Sequence, residues 1–168
     1  GKHTMDLLYG AKIAVKSPGI PGNIPLITDL KEKGTNVLSE IEFAAQSTSA
    51  TLIGITGTNG KTTTTMMTYE ILKNGGFHVG LAGNIGVSFA KQVAEQDFDY
   101  YVLEISSFQL DDIDQFAPHI ALITNITPDH LDRYNYSFED YIQAKIKITK
   151  NQTASNFFLF NSDDKILV

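Results

Sequence analysis

The stretch that organises the rest of the chain is Thr51-Leu52-Ile53-Gly54-Ile55-Thr56-Gly57-Thr58-Asn59-Gly60-Lys61-Thr62-Thr63-Thr64. Its first half is apolar and β-branched. Its second half is a short loop between glycines, then a lysine, then hydroxyl residues that open a helical pattern. This order of strand, tight loop and helix is typical of a phosphate-binding loop. Glycine in the loop permits positive φ angles, so that successive N–H groups and the helix N-terminus can face a polyphosphate.

The loop residues predict a nucleotide site with magnesium. Lys61 is expected to reach the β- and γ-phosphates, and the hydroxyl of Thr62 is a candidate Mg²⁺ ligand. The strict pattern G-x-x-x-x-G-K-[ST] places a glycine where this sequence has Ile55, and the alternative interpretation is a structural turn between a strand and a helix. The predicted ATP-binding residues are Gly57, Thr58, Asn59, Gly60, Lys61, Thr62 and Thr63.

Composition narrows the function classes. The chain has 168 residues, a formal net charge of -6 and no cluster of Lys and Arg, so a nucleic-acid partner is not expected. No apolar run approaches the roughly 20 residues of a membrane span, and no signal-peptide pattern opens the chain. The absence of cysteine excludes disulfides and thiolate metal sites. The chain begins at Gly1 and ends just after an apparent strand and turn, so we expect a piece of a longer protein.

Strands alternate with helices along the chain, which predicts an α/β fold with a mainly parallel sheet and helices on both faces. Ligands bind such sheets at the carboxyl ends of the strands. We place a domain boundary near Ser39, so that residues 1–39 end a small α/β unit and residues 40–168 belong to the nucleotide-binding domain. Besides the apolar run before the loop, the predicted strands are 11–15, 36–38, 78–82, 100–105, 119–125 and 157–160. The predicted helices are 25–33, 41–46, 62–74, 87–96, 108–116 and 138–150.

Polar residues follow two of the predicted strands. Gly83-Asn84-Ile85-Gly86 brings backbone and amide donors to the ligand edge, although the same sequence suits a plain turn. Glu104 ends a buried strand, at the position from which a carboxylate can hold Mg²⁺ against a nucleotide. The alternative for Glu104 is a solvated carboxylate at a strand end.

The run Thr124-Asn125-Ile126-Thr127-Pro128-Asp129-His130-Leu131-Asp132-Arg133-Tyr134 follows the next strand. Pro128 keeps this stretch extended, and His130 is a candidate for contact with metal or phosphate because it lies at a strand's carboxyl end. Asp129, Asp132 and Arg133 could equally be capping or pairing groups, so they stay unassigned.

One lysine lies on the wrong side of a helix. In the predicted helix 138–150, Lys145 falls on the apolar face with Tyr141 and Ile148, whereas Lys147 and Lys150 face outward. Lys145 could snorkel along the helix to water. If it is buried instead, its pKa falls and the neutral amine becomes nucleophilic.

Taken together, these motifs resemble the Mur ligase family. The resemblance is carried by Gly57-Thr58-Asn59-Gly60-Lys61-Thr62, Gly83-Asn84-Ile85-Gly86, Glu104-Ile105-Ser106-Ser107-Phe108-Gln109-Leu110, Asp129-His130-Leu131-Asp132-Arg133-Tyr134 and Ala144-Lys145. The Ser-Ser-Phe-Gln-Leu run is most similar to the member that adds D-glutamate. Ser17-Pro18-Gly19-Ile20 resembles a loop of the family's first domain. The family's loop core G-T-N-G-K-T also accounts for Ile55.

The resemblance implies ATP-driven amide formation in cytoplasmic peptidoglycan synthesis, on a central domain preceded by part of a smaller Rossmann-like α/β domain. UDP-N-acetylmuramoyl-L-alanine would take the γ-phosphoryl to give an acyl phosphate, and the amine of D-glutamate would displace phosphate. We expect a monomer without membrane or nucleic-acid partners. The implied catalytic residues are Lys61, His130 and Lys145; the implied ligands are Thr62 and Glu104 for one Mg²⁺, and His130 and carbamylated Lys145 for a second. The implied substrate-binding residues are Ser17, Gly19, Asn84, Ser106 and Gln109.

Three alternatives stay open at this point. They are a nucleotide-binding module without ligase chemistry, a folded but inert fragment, and another amino-acid-adding member of the family. The first leaves Lys145 and the Ser-Ser-Phe-Gln run without a role. Most of the family's first domain, the rest of its central domain and the domain that brings the amino acid have no counterpart in this sequence, so this chain alone is expected not to turn over.

Overall fold

The computed structural model of the chain describes residues 8–168, so the first seven residues of the predicted first domain lie outside the described range. The strands are β1 (Ile13–Lys16), β2 (Asn36–Ser39), β3 (Thr51–Thr56), β4 (Val79–Gly83), β5 (Tyr100–Glu104), β6 (Ile120–Ile123) and β7 (Phe157–Phe160). The helices are α1 (Pro25–Glu32), α2 (Glu40–Ala45), α3 (Lys61–Asn74), α4 (Phe89–Glu95), α5 (Ser107–Leu110) and α6 (Phe138–Ile146). None of the helices within residues 8–168 combines the length and the apolar character that crossing a bilayer requires.

The strands form two sheets in which every pair is parallel, as the sequence predicts. β1 pairs with β2, and the other five strands follow the order β4-β5-β3-β6-β7. After the central strand β3, the chain builds β4 and β5 on one side and then crosses to β6 and β7 on the other. The carboxyl ends of β5, β3 and β6 therefore meet where the strand order reverses, which is where open α/β sheets bind ligands.

Helices cover both faces of the larger sheet, which confirms the predicted α/β architecture. On one face, Tyr69 and Leu72 of α3 pack against a small cluster that includes Ile53 and Ile55. On the other face, a larger cluster joins the sheet to α2, α4, α5 and α6. Neighbouring residues of β3 point to opposite layers because side chains alternate along a strand. The ligand edge of the sheet thus lies between two packed helical layers.

The predicted helix 108–116 is wrong in its second half, because α5 ends at Leu110. The N–H groups of Asp114 and Phe116 each donate to Glu42 Oε2 at 2.9 Å, and that of Gln115 donates to both carboxylate oxygens at 3.1 and 3.2 Å. Glu42 belongs to α2 and is fully buried. Its carboxylate therefore takes the place of the helical carbonyl acceptors and turns the chain toward β6.

The end of β2 is also the start of α2. The Ser39 hydroxyl accepts a hydrogen bond from the N–H of Glu42 at 3.1 Å and so caps the helix. The small sheet is tied to the larger unit by Lys16, whose Nζ lies 2.7 Å from Asp112 Oδ2 in an almost fully buried ion pair. The domain boundary near Ser39 stays a prediction.

Candidate functional site

The phosphate-binding loop is formed as an irregular turn between β3 and α3, with φ angles of 144° at Gly57 and 80° at Gly60. A Cβ atom at position 57 would lie 1.9 Å from Thr124 Oγ1, so only glycine fits where the loop passes the end of β6. Ile55 is fully buried within β3. The loop therefore starts two residues after the position at which the strict pattern has its first glycine.

Four successive N–H groups, from Gly60 to Thr63, donate to no other residue in the described part of the chain. The first intrahelical bond of α3 runs from the N–H of Thr64 to the carbonyl of Gly60 at 3.0 Å. These free donors stand at the positive end of a 14-residue helix. Geometry and electrostatics together make the turn competent to bind a polyphosphate.

Two lysines approach the same loop from different elements. Lys61 Nζ donates to the carbonyl of Thr58 at 2.8 Å, and Lys145 Nζ donates to the carbonyl of Gly57 at 2.7 Å. Lys145 is only 2% exposed, so it does not snorkel, and its Nζ lies 4.7 Å from the centre of the Tyr141 ring. No carboxylate of residues 8–168 lies within ion-pair distance of it.

Burial lowers the pKa of Lys145 to about 7, and the charge of Lys61 acts in the same direction, while Asp129 opposes it. A substantial share of the molecules therefore carries a neutral, nucleophilic amine at this position near neutral pH. Lys145 can also donate to the Gly57 carbonyl in either protonation state.

This pKa predicts a pH-dependent stability that disappears in Lys145→Met. Between the folded value of about 7 and the ordinary value of 10.5, the unfolded chain binds more protons, so the free energy of unfolding rises with pH across that window. We expect the free energy of unfolding of wild type to rise by about 2 kcal/mol relative to that of Lys145→Met between pH 7 and about pH 9. Urea unfolding at several pH values measures it, with Lys150→Met as the exposed control. Parallel curves for wild type and Lys145→Met would contradict the buried amine.

Glu104 stands at the end of β5 and is 1% exposed, so the alternative of a solvated carboxylate is wrong. Asn84 Nδ2 donates to Glu104 Oε1 at 2.8 Å, whereas Oε2 is buried and has no hydrogen-bond partner among the described residues. A buried carboxylate oxygen without a partner is costly, and a bound cation would remove that cost. Glu104 Oε2 and the hydroxyl of Thr62, on the exposed first turn of α3, are hard oxygen donors of the kind that suits Mg²⁺.

The Gly83–Asn84 turn holds Asn84 against β5. The N–H of Asn84 donates to the carbonyl of Glu104 at 2.7 Å, and a Cβ atom at Gly83 would lie 2.2 Å from that same oxygen. The segment is thus a structural turn and also a donor of an amide to the site. The turn is confirmed, and contact of Asn84 with a ligand stays a prediction.

Two cavities meet at Asn84, which lines both. The smaller cavity has a volume of about 140 Å³ and brings together the predicted catalytic residues Lys61, His130 and Lys145. The larger cavity has a volume of about 420 Å³ and lies between the two sheets. The smaller cavity is lined by Lys61, Asn84, Ser106, Ser107, Phe108, Asp129, His130, Tyr141 and Lys145. The larger cavity is lined by Val15, Lys16, Ser17, Pro18, Glu40, Gly83, Asn84, Ser88 and Gln109. The predicted substrate residue Gly19 is exposed in the same loop as Ser17, but it does not line the larger cavity.

His130 lies at the rim of the smaller cavity in a left-handed backbone conformation, with φ of 49°. Its ring centre is 5.6 Å from that of Phe108, and the guanidinium of Arg133 lies 4.5 Å from the same aromatic ring. Asp129 accepts the N–H of His130 at 2.9 Å. Among residues 8–168, no three His, Asp or Glu side chains stand close enough to hold a metal ion. A cation at His130 would therefore need ligands beyond these side chains.

Several predicted site residues also have structural partners. Ser106 and Gln109 form a capping box at the start of α5, in which Gln109 Oε1 accepts the N–H of Ser106 at 2.9 Å. The hydroxyl of Thr58 donates to the carbonyl of Thr127 and accepts from its N–H, each at 3.0 Å, and lies 3.1 Å from the hydroxyl of Tyr141. The side chains of Ser106, Gln109 and Thr58 thus fix the backbone around the site.

Sequence reasoning missed four residues that touch the loop, namely Thr124, Asn125, Thr127 and Tyr141. Position gave a signal for two of them. Asn125 is polar and lies two residues after the end of β6, at the ligand edge of the sheet. Tyr141 precedes Lys145 by one helical turn, which places both on one face of α6. Thr127 contacts the loop mainly through its backbone, and its hydroxyl also accepts from Asn59 Nδ2 at 3.4 Å. Side-chain periodicity gives no signal for such backbone contacts.

Comparison with known proteins gives the family. The Mur ligase middle domain matches residues 55–168. The chain is 55% identical over 164 residues to the UDP-N-acetylmuramoylalanine--D-glutamate ligase of Christiangramia forsetii, covering 98% of this chain and 37% of that protein. It is 56% identical over 167 residues to the ligase of the same name from Bacteroides fragilis, covering 99% and 38%. The chain thus spans less than two fifths of the length of these relatives.

Solved structures agree in fold. A pseudomurein peptide ligase type C from Methanothermus fervidus aligns with a TM-score of 0.57 and 30% identity, covering 98% of this chain and 34% of that one. A UDP-N-acetylmuramate:L-alanyl-gamma-D-glutamyl-meso-diaminopimelate ligase from Neisseria meningitides aligns with a TM-score of 0.65 over 97% of this chain and 56% of that one, and at 18% identity it supports the fold alone. Members of the matched family are ATP-dependent ligases that use Mg²⁺. This chain belongs to the Mur ligase family.

Proposed function

We propose that this chain supplies the nucleotide site and part of the UDP-sugar site of a ligase that adds D-glutamate to UDP-N-acetylmuramoyl-L-alanine. The observation that carries the proposal is the phosphate-binding loop, whose four free N–H groups share one sheet edge with the buried Lys145 and the buried Glu104. A module that only bound nucleotide would have no use for a buried, nucleophilic lysine beside its loop. The relatives named for this reaction supply the choice of amino acid.

The geometry supports a two-step reaction. The N–H groups of Gly60 to Thr63 and the ammonium of Lys61 hold the γ-phosphoryl while the carboxylate of UDP-N-acetylmuramoyl-L-alanine attacks it, which releases ADP and leaves an acyl phosphate. The amine of D-glutamate then attacks the acyl carbon, the tetrahedral intermediate collapses with loss of phosphate, and the amine gives up a proton. Fixed donors suit both steps, because negative charge develops on oxygens that the loop already faces.

We place one Mg²⁺ at Thr62 and Glu104 and a second at His130 and carbamylated Lys145. When bound, such ions offset the negative charge of the phosphoryl oxygens. The unpartnered Oε2 of Glu104 supports the first assignment. For the second, the neutral amine of Lys145 adds to the carbon of CO₂, an N–C bond forms and a proton leaves, which creates an anionic oxygen donor. The nitrogen keeps one hydrogen, which can still be donated to the carbonyl of Gly57.

We assign the UDP-sugar to the larger cavity, with Ser17, Asn84 and Gln109 along it and Gly19 in the adjoining loop. Ser106 lies in the smaller cavity beside the catalytic lysines. Because Asn84 lines both cavities, a substrate in the larger one could extend its carboxylate past Asn84 toward the phosphate loop. We place the reaction in the cytoplasm, with a monomeric enzyme and no membrane or nucleic-acid partner.

Two experiments test the proposal. In the full-length ligase, phosphate release should require ATP, UDP-N-acetylmuramoyl-L-alanine and D-glutamate together, and oxygen-18 in the substrate carboxylate should appear in the released phosphate. L-glutamate should give no product. The 168-residue chain should bind the UDP-sugar as well as ATP without turnover, whereas a nucleotide-binding module would bind ATP alone. Phosphate release that is independent of the UDP-sugar would overturn the assignment.

Glu104→Gln in the full-length ligase is expected to raise the Mg²⁺ concentration for half-maximal activity by about tenfold or more. Glutamine keeps the size of the side chain and its contact with Asn84, but it removes the charge that holds the cation. Activity across a Mg²⁺ series measures the effect, with Glu95→Gln on the exposed face of α4 as the control. If the pH profile of kcat/KM changed while the Mg²⁺ series did not, Glu104 would instead act as a general base.

A further inference from the structure

The phosphate loop is held at Asn59 by a side chain from the segment that follows β6. Asn125 Oδ1 accepts the N–H of Asn59 at 3.0 Å, and Asn125 Nδ2 donates to the carbonyl of Asn59 at 2.9 Å. One amide group thus pairs with both the donor and the acceptor of a single loop residue, as a neighbouring strand would do. The requirement of both partners fixes the orientation of the Asn125 amide.

A backbone carbonyl and a hydroxyl of the same segment make two further hydrogen bonds to the loop. The carbonyl of Asn125 accepts the N–H of Thr58 at 2.9 Å, and Thr124 Oγ1 donates to the carbonyl of Asn59 at 2.7 Å. The segment after β6 therefore satisfies the N–H of Thr58 and both backbone polar groups of Asn59, the two loop residues just before Gly60. The free donors begin at the next residue, Gly60.

We infer that Asn125 is a positioning residue of the phosphate-binding loop, which holds Asn59 so that the N–H groups of Gly60 to Thr63 converge on the anion. The inference rests on the proposed nucleotide site and deepens it. Without the Asn125 amide, the N–H of Asn59 would lose its acceptor and the carbonyl of Asn59 would keep only the Thr124 hydroxyl, so part of the loop would have to be ordered again when the anion binds. In this role Asn125 acts through Asn59, to which its side-chain oxygen and one of its two amide N–H groups bond.

The test uses the 168-residue chain with inorganic tripolyphosphate, a probe that needs only the loop. We expect Asn125→Ala to raise the Kd for tripolyphosphate about tenfold by calorimetry, which corresponds to about 1.4 kcal/mol. Hydrogen exchange by NMR should become faster at the N–H of Asn59 and stay unchanged at the N–H of Thr58, whose acceptor is a backbone carbonyl. The matched control is Asn151→Ala, which also removes a side-chain amide that donates to backbone carbonyls, those of Asp114 and Phe116, but leaves the loop alone.

In the full-length ligase, Asn125→Ala should raise KM for ATP and leave KM for the UDP-sugar unchanged, which a general loss of folding would not do. If Asn125→Ala does not fold, Asn125→Asp has the same size and cannot donate to the carbonyl of Asn59, and it too should weaken tripolyphosphate binding. Unchanged binding by whichever variant folds would overturn the positioning role and leave the proposed function intact. Failure of wild type to bind tripolyphosphate would overturn the nucleotide site itself.

Discussion

Replacing Lys145 with alanine in the full-length ligase is expected to lower kcat/KM about 10³-fold, and added acetate is expected to restore part of the lost activity. The size of the loss follows if the carbamate of Lys145 holds a cation that contributes about 4 kcal/mol to transition-state stabilisation. Alanine leaves a gap at a buried position beside the carbonyl of Gly57, and a small carboxylate can supply the missing oxygen donors there. Activity is measured across an acetate series at fixed Mg²⁺ concentration.

The control for this experiment is Lys147→Ala, because Lys147 lies two residues away on the partly exposed side and contacts Asp111 instead of the loop. It should retain activity and show no response to acetate. Rescue of Lys145→Ala by small amines would mean that Lys145 acts as an ammonium group. Full activity of Lys145→Ala without any addition would mean that its contact with Gly57 is only structural.

The parts of the site that the sequence predicts are those built from local contacts. The strand, the two glycines and the first turn of α3 lie in one continuous stretch, so the presence of a phosphate loop is predicted locally, although distant residues complete its bonding. Helical spacing places Lys145 on the apolar face with Tyr141 and Ile148, which are buried, whereas the choice between burial and snorkelling of Lys145 is made by the structure. The parallel sheet likewise follows from the regular alternation of strands and helices.

The parts that the sequence does not predict depend on contacts between distant residues. Asn59 and Asn125 pair across 66 positions, and Glu42 reaches Phe116 across 74. Periodicity carries no information about which polar side chain will satisfy a distant backbone group. The segment 108–116 has apolar residues that suit a helix, and only the carboxylate of Glu42 explains why the chain leaves the helix after Leu110.

Replacing Glu42 with alanine should lower the free energy of unfolding by about 4 kcal/mol. Three backbone N–H groups would lose a charged acceptor in a fully buried position, and the amide of Gln46, 2.8 Å from Glu42 Oε1, would lose its partner as well. A domain of ordinary stability has only about 5–15 kcal/mol to lose. Urea unfolding of the 168-residue chain measures the change.

Glu139→Ala is a matched control, because Glu139 also accepts from a glutamine one helical turn later, at 2.8 Å, but is exposed and caps no distant segment. It should cost less than about 1 kcal/mol. Glu42→Gln should fall between the two, since its amide oxygen can still accept while its NH₂ group would face an N–H donor. Equal losses in Glu42→Ala and Glu139→Ala would show that the segment 114–116 is held by its apolar contacts. The carboxylate of Glu42 bonds to Gln46 and to the segment 114–116 and to no residue of the phosphate loop. Folded Glu42→Gln should therefore bind tripolyphosphate as wild type does, which distinguishes a residue that stabilises the fold from one that positions the site.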